Sequence, residues 1–250
     1  MMDQSVERLE GAFRFKRFTI RQDRCPMKVG TDGVLLGAWA EVRPDDRQIL
    51  DIGTGTGLIA VMLAQRSALA RVTGVDIDDV SQARENADAS PWGDRLHFVR
   101  TPVQEFRPTE RFDLIVSNPP FYVDSLTSPD FGRTTARHAV HLSYGELIDA
   151  VVRLLAPEGR FAVVLPMAEA RHFRTLAVDR LRLTRLTEVR TTPRRGARRV
   201  LMSFVAGGGA AQPSVEEMPP LLDQLVIGTG EHECYTPEYR ALTRDFYLKF

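Results

Sequence analysis

Cysteine is scarce: Cys25 and Cys234 are the only two, and they form neither a CxxC pair nor part of a His/Cys cluster. A disulfide-stapled scaffold and a structural zinc site are thereby set aside, and no metal is expected. No apolar run approaches the ~18 residues that a membrane-spanning helix needs. The polar stretch Met1 to Glu10 has no apolar signal core. The expectation is a cytoplasmic protein. Net charge is also missing, because 33 basic residues balance 33 acidic ones, so no global electrostatic attraction defines a partner. The spaced glycines of the dinucleotide fingerprint are absent too, and no hydride-transfer partner is evident, which weighs against a nicotinamide-dependent oxidoreductase.

What is present is enough apolar content, 43% of 250 residues, for one sizeable core. Charge is unevenly spread. Between Arg171 and Val200 ten arginines face only Asp179 and Glu188, and between Arg14 and Lys28 six basic residues face only Asp23. From Pro219 to Tyr239 the charged residues are all acidic apart from His232. Two basic segments on a neutral chain suggest a one-sided face for a polyanion.

The chain is organised around Asp113-Leu-Ile-Val-Ser-Asn-Pro-Pro-Phe121. Phe112 to Val116 reads as a buried strand, and two prolines then forbid further pairing and fix the backbone. Such a turn at the carboxyl end of a parallel strand is where open α/β sheets place ligands. The side-chain carbonyl of Asn118 and the backbone carbonyl of Pro119 are two acceptors suited to a planar NH2 group, with Pro120 holding the turn and the ring of Phe121 suited to stacking on a base. Accepting both amine hydrogens localises charge on the nitrogen and turns its lone pair toward an electrophile, so positioning and electrostatics carry the chemistry.

A second signal is Gln48-Ile-Leu-Asp-Ile-Gly-Thr-Gly-Thr-Gly57, a strand, a glycine turn and then helical spacing from Leu58 to Gln65. Gly53, Thr54, Gly55 and Gly57 bring bare backbone close to a ligand, and Asp51 before them favours a cationic group. A further strand, Arg71 to Val75, ends in Asp76, placed to accept both hydroxyls of a ribose. Ile77 and Val103, the latter after a strand from Leu96 to Arg100, are placed to sandwich an adenine ring; Gln104 beside them is a further cofactor-binding candidate. Upstream, Lys28-Val-Gly-Thr-Asp-Gly-Val-Leu-Leu-Gly-Ala-Trp39 predicts a helix capped by Thr31 or Asp32 with Leu35, Leu36 and Trp39 buried. Its amino terminus beside Lys28 and Asp32 suits a zwitterion, carboxylate at the helix and ammonium at Asp32.

Asp51 to Gly57, Asp76 and Asn118 to Phe121 together resemble the class I S-adenosylmethionine-dependent methyltransferases acting on amino groups. More narrowly, Lys28 to Trp39, Ser117 to Phe121, Ala136-Arg-His138 and Leu242 to Phe250 are similar to the bacterial tRNA1(Val) adenine-N6 methyltransferases, which modify the adenine next to the anticodon. The resemblance implies a Rossmann-like sheet, S-adenosylmethionine as donor and a tRNA substrate. Carried over by position, the glycine loop and Asp51 would flank the methionine part of the cofactor, Asp76 its ribose, and Asn118 the target amine. Phe121 stands where many class members have Tyr, which leaves guanine N2 in rRNA and a glutamine amide in a protein open as targets.

The remaining chain predicts a polar loop from Tyr122 to Thr135, a helix from Leu142 to Leu155 capped by Ser143, a strand from Gly159 to Pro166, a helix from Met167 to Val178, and strands near Leu183 to Val189 and Arg199 to Ala206. Arg194-Arg-Gly-Ala-Arg-Arg199 reads as a slim basic hairpin tip. Arg14, Lys16, Arg17, Arg137, Arg194, Arg195, Arg198 and Arg199 are the candidate residues for binding RNA. Gly207 to Pro213 is linker-like, and Tyr235 to Phe250 holds a short helix with Tyr239, Leu242 and Phe246 on one side. The expected architecture is one α/β domain over 1–250, Rossmann-like, with a mostly parallel seven-stranded sheet and helices on both faces. Within it 1–40 form the basic strand and helix, 41–206 the catalytic core, and 207–250 the linker and terminal helix.

Overall fold

The computed structural model describes residues 11–25, 27–120, 142–207 and 219–250. Its first element is an antiparallel hairpin, β1 (Ala12–Arg14) and β2 (Thr19–Arg21), where the sequence suggests one short strand. Phe15 and Phe18 stack with ring centroids 4.6 Å apart, and this stacking folds the segment back on itself. After α1 (Thr31–Trp39), strand and helix alternate: β3 (Gln48–Ile52), α2 (Leu58–Arg66), β4 (Arg71–Asp76), α3 (Ser81–Asp88), β5 (Leu96–Arg100) and β6 (Phe112–Ser117). Then follow α4 (Tyr144–Leu154), β7 (Leu155–Pro166), α5 (Met167–Ala177), β8 (Leu181–Arg190), β9 (Arg199–Ala206), β10 (Leu221–Val226) and α6 (Pro237–Thr243).

Eight strands pair in the order β10-β8-β9-β7-β6-β3-β4-β5, and β9 alone runs against its neighbours. This is the expected Rossmann-like, mostly parallel sheet with one strand more than the seven anticipated. The extra strand, β10, arises where the sequence suggests only a linker and a helix, because Leu-Leu-Asp-Gln-Leu-Val lacks the two-residue alternation of a half-buried strand. It is held sideways instead: Asp223 accepts hydrogen bonds from Arg185, at 2.9 Å, and from Thr187 on β8.

Period-two alternation sorts the core into two layers. Ile49, Leu114, Val116 and Val164 belong to the cluster with α1, α2, α3 and the hairpin, whereas Leu50, Ile115, Val163 and Leu165 join α4 and α5. The middle of each central strand is therefore apolar on both faces, because both are covered, and polar residues such as Asp51 and Ser117 fall toward the strand ends.

α1 buries Leu35, Leu36 and Trp39 as expected but is not capped by Thr31 or Asp32. Its N-cap is Gly30, with no side-chain cap, and Thr31 and Asp32 lie inside the first turn. Gly33 through Trp39 are all buried. Gly37 permits this packing, since a Cβ there would lie 2.8 Å from the Met62 sulfur. Arg66 closes the other end by donating to the carbonyls of Gly37 and Ala40 at 2.9 and 2.6 Å. By contrast α4 begins with the expected Ser143 cap, completed by Glu146 as a reciprocal capping box.

Candidate active site

β3 is followed by a crossover to β4 on one side, while β6 lies on its other side, so the carboxyl ends of β3 and β6 form the switch point of the sheet. Asp51 pairs in register with Val116 and Ile52 with Ser117. The Ser117 hydroxyl donates to the Ile52 carbonyl at 2.9 Å, which ties the two strand ends where the glycine loop and the Asn118 turn depart.

The glycine loop takes its shape from backbone that only glycine adopts readily. Gly53, Gly55 and Gly57 have φ of 75°, 52° and 80°. The Gly53 and Thr54 amides both donate to Val75, at 2.9 and 3.2 Å, and the Gly55 amide donates to Asp76 Oδ2 at 2.8 Å. A side chain on Gly53 would meet nothing within 4 Å, so this backbone faces open space. Asp76 Oδ1 accepts the Asp78 amide at 3.0 Å. Both oxygens thus keep lone pairs for further donors.

Asp51 is fully buried, and Thr54 Oγ1 donates to its Oδ2 at 2.7 Å. Burial, more than the neighbouring Asp76 charge, pushes its carboxyl up to about 7 against the pull of Thr54. Its Oδ1 is buried without an aligned hydrogen bond, although the Ala60 amide lies near enough to the carboxylate to pull its pKa down, and Oδ1 of Asn118 is buried without a partner. Buried acceptors are rarely left unmade in a finished site, and two of them at one switch point fit a ligand bearing cationic and N–H donor groups.

A cleft of about 320 Å³ gathers most of the candidates: Lys28, Thr31, Asp32, Gly53, Thr54, Gly55 and Asn118 line it together. Asp76 borders it through the Gly55 amide. Gly57, the N-cap of α2, stands behind the loop with Ala83 and Phe98 against it. Ile77 is 40% exposed at the end of β4, while Val103 is committed to the core beside Val75, so Ile77 has the freer surface for an adenine. Gln104 follows Val103 at that same end. Phe121 and Arg137 lie outside the described residues; Pro119 is buried and Pro120 exposed.

The basic candidates separate into three places. Arg194, Arg195 and Arg198 are exposed on the loop joining β8 to β9, as the hairpin-tip reading anticipates. Arg199 is not with them: it lines the cleft, and its Nε lies 2.5 Å from Asp32 Oδ1. The reason is register, since Arg199 opens β9 opposite Pro166 at the carboxyl edge of the sheet. Asp32 accordingly has Arg199 as its charge partner in the cleft. Arg14, Lys16 and Arg17 line a separate concavity with Asn86 and Ala89 at the far end of α3. There Arg17 lies 5.0 Å from the centre of the Trp92 ring, and Lys16 donates to the carbonyls of Arg244 and Phe250, so it serves as a brace as well as a charge. Arg199 is the RNA-binding candidate that the structure sets in the cleft, apart from the hairpin-tip arginines. Thr56, within the glycine loop, also lines the cleft, as do Leu58 and Ile59, which were legible only as helix start.

An acidic strand end, a bare glycine loop and a rigid amide turn on adjoining strands make this a methyltransferase site, and the family model described as Methyltransferase small domain matches residues 30–172. The chain is 43% identical over 242 residues to the tRNA1(Val) (adenine(37)-N6)-methyltransferase of Flavobacterium johnsoniae, covering 95% of this chain and 99% of that protein. It is 46% identical over 239 residues to the protein of the same name from Phocaeicola vulgatus, covering 94% and 97%. The chain belongs to the tRNA1(Val) (adenine(37)-N6)-methyltransferase family. Its fold is shared with a crystal structure of a predicted O-methyltransferase from Agrobacterium tumefaciens, at a TM-score of 0.65 over 86% of this chain and 96% of that one, with 18% identity.

Proposed function

We propose that the protein transfers a methyl group from S-adenosylmethionine to the exocyclic N6 of the adenine beside the anticodon of tRNA1(Val). The observation that carries this reading is the buried, unpartnered Oδ1 of Asn118 in the cleft lined by the glycine loop. An acceptor held in place without a donor is preorganised for an incoming N–H, and no reorganisation is then needed as charge develops.

In this reading Asp51, Gly53, Thr54, Gly55 and Asp76 hold the cofactor, with Lys28, Thr31 and Asp32 around its amino-acid end and Ile77 against its adenine. The bound cofactor supplies an electrophilic methyl on a sulfonium. Asn118 Oδ1 accepts one amine hydrogen, and the Pro119 carbonyl is the candidate for the other. The amine lone pair is thereby turned out of the ring plane, its nitrogen forms the new bond as the sulfur–carbon bond breaks, and the amine surrenders one proton to solvent. The target base has to leave the anticodon stack to reach this depth, and Phe121 is the candidate surface that receives it. Arg194, Arg195 and Arg198 would follow the phosphates, in a cytoplasmic setting where tRNA is available.

The test is nucleoside mass spectrometry of tRNA and rRNA after incubation with the protein and S-adenosylmethionine. N6-methyladenosine gained in tRNA alone is expected. N2-methylguanosine in rRNA would overturn the substrate while keeping the mechanism, and methylation of neither RNA would overturn both.

A further inference from the structure

The molecule contains two internal ion pairs between an aspartate and an arginine that differ in kind. Asp46 and Arg160 are 3% and 4% exposed, and Nη2 of the arginine donates to both carboxylate oxygens at 2.8 and 2.6 Å. Asp32 and Arg199 approach as closely, at 2.5 Å, yet Asp32 Oδ1 and Arg199 Nε make no aligned hydrogen bond to any group. They are 20% and 26% exposed and face the cleft between the glycine loop and Asn118. The first pair makes two hydrogen bonds out of reach of solvent, with Arg160 Nε left over, whereas the second borders the cleft and makes no aligned bond between Arg199 Nε and Asp32 Oδ1.

We infer that Asp32 and Arg199 are an exchangeable pair that reads the amino-acid tail of the cofactor, Arg199 taking the tail carboxylate and Asp32 the tail ammonium. This rests on the S-adenosylmethionine reading and adds Arg199 to it. A zwitterion entering between the two side chains replaces one ion pair by two without leaving an uncompensated charge, which a half-buried site tolerates poorly otherwise. Burial pushes the Asp32 carboxyl above its ordinary range and Arg199 draws it part of the way back, consistent with a carboxylate that a second cation would satisfy better. Lys28 is exposed on the rim and stays available for the same carboxylate from outside.

The experiment compares calorimetric affinities for S-adenosylhomocysteine and for 5′-methylthioadenosine, which keeps the adenosine thioether and lacks the charged tail. Wild-type protein binding S-adenosylhomocysteine establishes the cofactor reading; if it does not bind, that reading fails and this inference with it. Given binding, Arg199→Ala is expected to weaken S-adenosylhomocysteine about ten- to a hundredfold while leaving methylthioadenosine nearly unchanged, with Arg199→Lys recovering part of the loss. Asp32→Asn is expected to act in the same selective direction. Equal weakening of both ligands, or no change in either, overturns the assignment to Arg199. So does a loss confined to tRNA affinity, which would return Arg199 to the RNA-binding arginines. Thermal unfolding without ligand checks folding, and if Arg199→Ala does not fold, Arg199→Gln carries the same comparison.

Discussion

The two edges of the sheet are built from the same residue types and finished differently. At the amino edge Asp46 is closed on Arg160, and Asp113 accepts the amides of Arg47 and Gln48 at 2.7 and 2.9 Å. At the carboxyl edge Asp51 and Asn118 each keep a buried oxygen without a partner, and Asp32 meets Arg199 without alignment. Unpartnered atoms occur on the amino side too, Arg160 Nε and Gln65 Oε1 among them, but the charges of Asp46 and Arg160 compensate each other. Polar groups at one edge hold the fold, and at the other they are left waiting at a cost in stability. On the proposed reading, the candidate site is marked less by which polar residues are buried than by which of them are left incomplete.

That contrast can be broken first at the amino edge. Asp46→Ala leaves the Arg160 guanidinium buried and unpaired, and about 3–5 kcal/mol of stability should be lost in denaturant titration, with little change in cofactor affinity under folding conditions. At the other edge the balance should invert. Asn118→Ala is expected to lower kcat by about a hundred- to a thousandfold while the melting temperature holds or rises, because the removed oxygen satisfies nothing in the free protein. A matching loss of stability would mean that Asn118 is structural. Asp76→Ala should weaken S-adenosylhomocysteine about ten- to a hundredfold by calorimetry, and unchanged affinity would remove the ribose from Asp76.

A smaller effect sharpens the comparison through pH. Asp51 keeps its proton to about 7 when folded, against an ordinary value of 3.8. Between those two values the folded protein holds a proton that the unfolded chain has released, so the cofactor-free protein should lose stability as pH rises through that window. Asp51→Asn should flatten this slope when unfolding is followed at a series of pH values. The smallest effect on the fold is at the hairpin tip, where Arg194, Arg195 and Arg198 together replaced by Ala should lower tRNA affinity with cofactor affinity and stability intact. The logarithmic salt dependence of tRNA binding should become shallower by about 0.7 for each phosphate those arginines neutralise.

Much of this was legible in the sequence because local rules agreed. The apolar runs of β3, β4 and β6, the positive-φ glycines and the Ser143 cap each depend on near neighbours, and the cleft gathers Lys28, Thr31, Asp32, the loop and Asn118 as their motifs suggest. What was missed depends on distant pairing. Arg199 looks like one more arginine in a basic run until the antiparallel register of β9 sets it opposite Pro166. β10 has no pattern of its own and is set by its parallel ladder with β8, to which Asp223 adds bonds from Arg185 and Thr187. The α1 cap failed for a related reason: seven successive residues of that helix are buried against other elements, so Gly30 ends up outside it and Thr31 within.

The antiparallel course of β9 has a consequence for assembly. The cleft is lined from Met27 to Arg199, while the recognisable methyltransferase segment ends at residue 172. A chain folded only that far would own the glycine loop and the amide turn but not the guanidinium that answers Asp32. A ligand bound as inferred above would couple α1 to β9, one of the last strands of the sheet. A ligand held there would by mass action favour the completed sheet.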